Sequence, residues 1–268
     1  MAQTIAGVVF DIDGTILRGS RMLPAVCETL KQLWARQVKV CFLTNDNRAP
    51  VEQWVTRLRS HGIVVDAGAV ITSAVVAAET VAKHHPTGCV LMVGDVGLQE
   101  ALQVHELQRL DWESDHSADF ILMGKDPHFD QKRLNIICQH IWNGATFYAT
   151  NNDRKMPVAD GYIPATGAMV QAVAYATGVQ PIVTGKPSIY AANVVLDRLE
   201  FSAENVAIVG DSLTSDIALG KTAGMTTILV LTGTHGREDV EKLPPADRPD
   251  HIINDLSELS TILFGENR

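Results

Sequence analysis

Four short stretches of the sequence combine residue types that handle phosphate and divalent cations. The first, Phe10-Asp11-Ile12-Asp13-Gly14-Thr15, places two carboxylates one residue apart at the end of an apolar run. Alternate side chains of an extended segment point the same way, so Asp11 and Asp13 are expected to serve one site while Gly14 lets the chain turn away. An acidic turn that closes a strand has the same composition, and this stretch alone does not separate the two. The second is Thr44-Asn45, whose hydroxyl, amide and backbone N–H groups suit an anion's oxygens and equally suit a helix cap. The third, Thr184-Gly185-Lys186-Pro187, lacks the spacing of a P-loop. A lysine fixed between Gly and Pro at a strand end can still neutralise a transferring phosphoryl group, although a lone lysine also reads as a solvated charge. The fourth, Gly210-Asp211-Ser212-Leu213-Thr214-Ser215-Asp216, sets two acids five residues apart around a turn. Carboxylates in that arrangement are oxygen donors of the kind Mg²⁺ takes, or else a capping Asp with a first-turn acid favoured by the helix dipole.

Each stretch follows an apolar run of strand length: residues 5–10, 38–43, 181–183 and 206–209, with a further strand expected at 227–231. Helical periods lie between them, from Pro24 through Leu33 and Trp34, from Pro50 through Trp54 and Leu58 to Gly62, and over 215–223. Strands alternating with helices define an α/β protein with a mainly parallel sheet, and such sheets hold ligands at the carboxyl ends of their strands. Residues 79–179 repeat the alternation, with strands expected at 90–93, 120–123 and 146–149. The expected organisation is therefore a discontinuous core, 1–78 and 180–268, interrupted by a smaller α/β domain at 79–179. The prolines at 244, 245 and 249 read as a surface loop.

Composition narrows the function classes. The 268 residues are 46% hydrophobic and 20% charged, enough for a folded core. A net charge of −9 argues against nonspecific binding to nucleic acid or an anionic membrane. It also requires that an anionic substrate be drawn in by local cations and dipoles. No apolar run approaches the length of a membrane span, and MAQTIAGVVF lacks a secretory signal, so a cytoplasmic protein is expected. Cys27, Cys41, Cys89 and Cys138 form no Cys-x-x-Cys pair and read as small buried hydrophobes. The nine histidines show no metal-ligand spacing, with His84 and His85 expected at an exposed helix end. Any metal site would then be made of carboxylates.

Taken together, the four strand-end stretches resemble the haloacid dehalogenase-like superfamily of phosphotransferases, whose four motifs occur in this order. The stretches ATNNDRKMPVADGYIPATGAMV, GKPSIYAANVVL, GDSLTSDIALGKTAGMTTILVLTG and REDVEKL are similar to the NagD/nitrophenylphosphatase-type subfamily. The resemblance covers nearly the whole chain and implies a Rossmann-like parallel-sheet core carrying an inserted α/β cap at 79–179. It implies that Asp11 is the nucleophile, since a carboxylate attacking phosphorus splits hydrolysis into two in-line displacements. Asp13 would be the general acid/base, its pKa raised by the neighbouring like charge. The ion-pumping ATPases of the superfamily carry Thr at the place of Asp13, so an Asp there favours hydrolysis.

The same resemblance implies Mg²⁺ on the Asp11 carboxylate, the Asp13 carbonyl and the Asp211 side chain, with Asp216 binding the ion or standing one layer behind. Thr44 and Lys186 would grip the phosphoryl oxygens, and Asn45 would orient its neighbours. One departure is Asp46-Asn47-Arg48, where the subfamily often has Asn-Ser; an extra acid beside bound phosphate is costly unless Asp46 points away or pairs with Arg48.

Substrate choice is expected in the cap, on the loop from Asn151 to Pro164. There Asn151 and Asp153 match a Thr-Asn-x-Asp pattern and are assigned to substrate binding, while Arg154, Lys155 and Met156 are local features. The implied partner is a small phosphomonoester: a sugar phosphate, a nucleoside monophosphate, phosphoglycolate or pyridoxal phosphate. No nucleic acid or membrane is implied, and a homodimer or higher homo-oligomer would form through the cap. Two other readings stay open at this point, a phosphomutase or phosphotransferase and a non-catalytic sugar-phosphate-binding regulator.

Overall fold

The segment Gly7–Asp11 has all five residues buried, the pattern of a strand covered on both faces of a parallel sheet. In the computed structural model, which describes residues 5–158 and 161–265, this strand lies inside a six-stranded sheet. Contacts along the chain separate two compact units, one made of Met1–Thr44, Trp54–Ile71 and Lys186–Arg268, the other of Asn45–Gln53 and Thr72–Gly185.

The six-stranded sheet runs in the order His251–Ile253, Thr226–Val230, Val206–Gly210, Gly7–Asp11, Lys39–Thr44, Val70–Thr72. From the central strand Gly7–Asp11 the chain first builds outward through Lys39–Thr44. It later returns to the other flank with Val206–Gly210, in parallel register on both sides. That reversal is a topological switch point, which leaves a crevice outside the carboxyl end of Gly7–Asp11. Register fixes what meets there: Asp11 lies opposite Leu43, and Phe10 opposite both Phe42 and Val209.

Several helix ends differ in detail from the sequence expectation. The first helix is Val26–Ala35, because Ala25 takes a left-handed conformation at its start and delays it beyond Pro24. The helix after the second motif is Val51–Ser60, one residue beyond the Pro50 at which it was expected to start. Where one helix was expected over 215–223, the chain winds a single π-helical turn at Leu213–Ile217 before the α-helix Ala218–Ala223. Only Cys41 and Cys138 are buried, Cys27 and Cys89 being half-buried; burial pushes the Cys41 thiol up to about 12, consistent with a packing role.

The second unit has its own parallel sheet, in the order Ile182–Val183, Thr146–Ala149, Phe120–Met123, Cys89–Val93, Gln108–Arg109. Alternation along Phe120–Met123 divides its core in two. Ile121 and Met123 pack with Ile137 and Ile141 of the helix Gln131–Trp142 and with Val170 and Val173 of Thr166–Thr177. Phe120 and Leu122 pack with Ala77 and Val81 of Ser73–His84 and with Leu98 and Leu102 of Val96–Val104. Within the loop expected at 151–164, the chain forms an antiparallel hairpin, Lys155–Val158 with Gly161–Pro164. Ala159 and Asp160 lie outside the described residues.

One clamp fastens the outermost strand of the first unit's sheet. Asp250 Oδ2 accepts hydrogen bonds from Thr227 N at 2.8 Å and Thr227 Oγ1 at 2.6 Å, and Asp250 N donates to Thr227 Oγ1 at 3.0 Å. Partial burial works against the Asp250 charge, but hydrogen bonds from Lys221 and Thr227 outweigh it and hold the carboxyl below the ordinary range. A depressed carboxyl contributes stability above its unfolded pKa and loses it as pH falls through the folded one. Asp250→Ala is therefore expected to cost about 1 kcal/mol in denaturant unfolding at neutral pH. The difference from the unaltered protein should shrink when the titration is repeated below about pH 4.

Candidate active site

Three strand ends and one helix start converge in the first unit. Asp11 closes the strand Gly7–Asp11, Thr44 closes Lys39–Thr44, and Asp211 follows Val206–Gly210 directly. Lys186 precedes the helix Ile189–Leu199, whose first turn is capped by the Ser188 side chain accepting from Ala191 N. Asp11, Thr44, Lys186, Asp211 and Asp216 are all buried.

Lys186 is the hinge of the charge arrangement. Its Nζ donates to Asp11 Oδ1 at 2.5 Å, to Asp216 Oδ1 at 2.7 Å and to the Leu43 carbonyl at 3.2 Å. An ammonium has three protons, and each of these acceptors can take one. Burial opposes the charge on Lys186, yet Asp11 and Asp216 more than compensate and hold its pKa above the ordinary range. Asp216 is tied at both oxygens, since Oδ2 accepts from Ser212 N at 3.0 Å. The π-helical turn makes this closure, and Gly210 leaves room for it: a Cβ at that position would overlap the Asp216 carboxylate.

Asp211 is held by a segment to which the sequence reading assigned no role. Thr234 N donates to Asp211 Oδ2 at 2.6 Å, and His235 N to the Asp211 carbonyl at 3.2 Å. Thr232 Oγ1 donates to the Gly14 carbonyl at 2.7 Å, in the turn where Gly14 adopts φ of 97°. The signal was present in Thr232-Gly233-Thr234, small hydroxyl and glycine residues following the strand Thr226–Val230, the same pattern as at the other strand ends.

Asp11, Asp211 and Asp216 bring carboxylate oxygens within 4.8 Å of one another, and this is the only such metal-ligand group among the described residues. Three carboxylates against one ammonium leave a formal excess of two negative charges. Burial first, then Asp216 and Asp211, raise the pKa of Asp11 well above the carboxylate range despite Lys186. Burial and Asp216 likewise raise Asp211 against its Thr234 hydrogen bond. Asp11 Oδ2 is buried with no hydrogen-bond partner among the described residues. An unsatisfied carboxylate oxygen in a cluster short of positive charge fits a hard divalent cation with oxygen ligands.

The remaining predicted residues are placed elsewhere. Asp13 is exposed, two residues beyond Asp11 and in a bridge with Leu17, and its carboxylate is not in the three-acid group. Asn45, Asn151 and Asp153 belong to the second unit and bond to one another: Asn151 Nδ2 donates to Asn45 O at 2.8 Å, and Asn45 Nδ2 to Asp153 Oδ2 at 3.1 Å. Asp46 pairs with Arg48 in a two-pronged ion pair of 2.9 and 2.8 Å, so the extra acid in that loop is neutralised locally. Arg154 and Lys155 are exposed, with the Lys155 ammonium 3.9 Å from the centre of the Tyr162 ring. Asn47, given no role by the sequence reading, is buried; its Oδ1 accepts from Lys125 N at 2.7 Å and its Nδ2 donates to Thr166 Oγ1 at 3.3 Å.

A parallel α/β core with polar side chains gathered at its switch point is the class of protein that binds its ligand outside the carboxyl ends of its strands. Residues 8–108 match the family of haloacid dehalogenase-like hydrolases, and residues 183–259 match a HAD-hydrolase-like family. The chain is 32% identical to an acid sugar phosphatase of Staphylococcus saprophyticus, over 94% of this chain and 95% of that protein. It is 30% identical to a 5'-nucleotidase of Bacillus subtilis, over 96% and 98% of the two chains. Among solved structures, p-nitrophenyl phosphatase from Archaeoglobus fulgidus superposes with a TM-score of 0.89 at 31% identity, covering 97% of this chain and all of that one. NagD from E. coli gives 0.87 at 28%, over 95% and 98%. Glycerol phosphate phosphatase from Mycobacterium tuberculosis, in complex with magnesium, gives 0.88 at 29%, over 95% and 77%. The chain belongs to the haloacid dehalogenase-like hydrolases, in their NagD-like branch, and is a phosphatase. Among the described residues no helix is long and apolar enough to cross a membrane.

The close approach at Gly210 is directly testable. Gly210→Ala is expected to push Asp216 away from Lys186, costing about 1–3 kcal/mol in denaturant unfolding and lowering phosphatase turnover at the same time. Gly236→Ala, where an added Cβ meets nothing within 4 Å, is the matched control and should change neither measurement appreciably.

Proposed function

We propose that the chain hydrolyses small phosphomonoesters with the help of Mg²⁺, through an aspartyl-phosphate formed on Asp11. The observation that carries this reading is the state of Asp11: buried, one oxygen engaged by Lys186, the other unpartnered, and two further carboxylates beside it. Asp11, Asp211 and Asp216 would hold the metal with the Asp13 carbonyl. When bound, the ion supplies the charge compensation that lets an anionic nucleophile and an anionic substrate approach.

The residues then divide the work. Lys186, locked between Asp11 and Asp216, orients the attacking carboxylate and places positive charge where the phosphoryl group arrives. Thr44, buried at the end of the neighbouring strand, contributes its hydroxyl to the phosphoryl oxygens. Attack by Asp11 forms the O–P bond as the P–O bond to the leaving group breaks, and Asp13 donates a proton to the departing alcohol. Asp13 then takes a proton from the water that cleaves the acyl phosphate, releasing inorganic phosphate and restoring Asp11. The exposure of Asp13 suits a group that exchanges protons with leaving group and water in turn.

In this reading the core 1–78 with 180–268 performs the chemistry, and the inserted 79–179 selects the substrate. The relatives' names span sugar phosphates, nucleotides, nitrophenyl phosphate and glycerol phosphate, which supports a small phosphomonoester without selecting one.

Asp11→Asn is expected to reduce phosphate release to background at unchanged fold, and a chelator should abolish release until Mg²⁺ is restored. Turnover surviving in that variant would end the nucleophile assignment. Following the phosphate also tests the transferase reading: free phosphate in stoichiometric amount with the alcohol supports hydrolysis, and product rephosphorylated at another position opposes it. Arg154→Ala and Lys155→Ala should raise KM for the physiological substrate with little change in kcat, since exposed cations at the start of the hairpin would contact the leaving group and not the phosphoryl group. A metabolite panel assayed by phosphate release identifies the substrate for that comparison.

A further inference from the structure

A knot of polar contacts at one end of the second unit's sheet grips a residue whose chain neighbour belongs to the chemistry. The Asn45 carbonyl accepts from Asn151 Nδ2 at 2.8 Å and from Ser73 Oγ at 2.7 Å. The Asn45 side chain donates from Nδ2 to Asp153 Oδ2 at 3.1 Å, and Asp153 N donates to Asn151 Oδ1 at 3.1 Å. Three side chains thus fix Asn45 at both its backbone and its amide. Asn151 is 3% exposed, and both ends of its amide are engaged within the knot.

The same knot takes in Gly185. Its N–H donates to the Thr150 carbonyl at 2.8 Å, extending the pairing of Ile182–Val183 with Thr146–Ala149. A Cβ on Gly185 would overlap the Thr150 carbonyl and would come within 2.8 Å of Asn45 Oδ1 and 3.1 Å of Ser73 Cβ, so only glycine allows this approach. Asn45 and Gly185, distant in sequence, are therefore held against one body of contacts. Asn45 is bonded to Thr44, and Gly185 to Lys186.

We propose that Asn151, Asp153 and Ser73 are positioning residues for the phosphoryl-binding pair. By fixing Asn45 beside Gly185 they set the two backbone points from which Thr44 and Lys186 project, and they act through those residues without touching the leaving group. The proposal rests on the reading of Thr44 and Lys186 as ligands of the phosphoryl group. It differs from the sequence expectation, in which Asn151 and Asp153 bind substrate themselves. Misplacement of reacting groups by about 1 Å can cost on the order of 100-fold in rate, so hydrogen bonds remote from phosphorus are able to matter this way.

The two roles give different kinetics. A leaving-group contact alters kcat/KM by amounts that depend on the substrate and leaves inhibition by inorganic phosphate untouched. A positioning role lowers kcat/KM by a similar factor for substrates with unrelated leaving groups and weakens inhibition by inorganic phosphate as well. The test measures kcat and KM with p-nitrophenyl phosphate and with a sugar phosphate, together with the inhibition constant of inorganic phosphate, on the full chain with Mg²⁺. Asn151→Ala and Asp153→Ala are expected to lose about 10- to 100-fold in kcat/KM on both substrates, with the phosphate inhibition constant raised several-fold.

Asp153→Asn, which keeps a carbonyl oxygen for the Asn45 amide, should recover most of that loss. Should either alanine variant fail to fold, Ser73→Ala removes one hydrogen bond from the same carbonyl and carries the same readouts. Losses that differ between substrates at unchanged phosphate inhibition would overturn the proposal. Thr44→Ala separates this from the underlying reading: if that variant leaves phosphate inhibition unchanged, the assignment of Thr44 falls first. If it weakens inhibition while the knot variants do not, the positioning role alone is refuted.

Discussion

The structure depends on one buried cation. Lys186 lies between Asp11 and Asp216 in a place almost sealed from water, where an ammonium without partners would lose its proton and a carboxylate pair without a cation would not stay ionised. Neither side is stable alone. Such a pair contributes little net folding energy, because desolvation consumes most of the attraction. Its value is geometric: Lys186 holds one oxygen of Asp11 and leaves the other without a hydrogen-bond partner among the described residues. The third acid, Asp211, leaves the cluster short of positive charge, which is the charge deficit that the proposed divalent cation would make up.

The arrangement around that cation is a consequence of sheet topology. Gly7–Asp11 is central because its residues can be buried on both faces, and its central place makes it the strand with a neighbour from each half of the core. Register then aligns Asp11 with Leu43, whose carbonyl also accepts from Lys186, and puts Asp211 one residue past the adjoining strand end. Side chains from positions 11, 186, 211 and 216 become neighbours without any local sequence relation, and Thr44 is buried at the end of the adjoining strand. Backbone space permits the last step, since Gly210 has no Cβ to obstruct Asp216.

Much of this was legible from residue types alone, for a physical reason. Buried parallel strands are continuous apolar runs, so the runs ahead of Asp11, Thr44 and Asp211 announce themselves, and carboxyl-end residues of such strands face the crevice. Strand ends shifted by a residue, as in Lys39–Thr44 for an expected 38–43, because the ladder closes on hydrogen bonds and not on hydrophobicity. The π-helical turn was illegible, since no residue type in Leu213–Ile217 distinguishes a π from an α winding and the turn is tied by the Ser212–Asp216 hydrogen bond. The hairpin of Lys155–Val158 with Gly161–Pro164 read as a loop for a related reason: these short strands carry no long apolar run, and Lys155, Gly161, Tyr162, Ile163 and Pro164 are all exposed.

Asn45, Asn151 and Asp153 show where residue type stops being informative. Each is a polar side chain after a strand, the same signal that located Asp11 and Asp211, and the signal does not distinguish a group that meets a ligand from one that holds the backbone. The proposed division between them rests on hydrogen-bond capacity. Asn151 uses its amide at both ends on protein partners and Asp153 accepts from Asn45, whereas Asp11 keeps a buried oxygen unmatched. Leaving a buried polar atom unpaired costs about 1–3 kcal/mol, a cost that persists where a bound partner repays it. In the proposed mechanism the unmatched Asp11 oxygen, set among two further acids, is the reacting centre, and the engaged amides around Asn45 are its support.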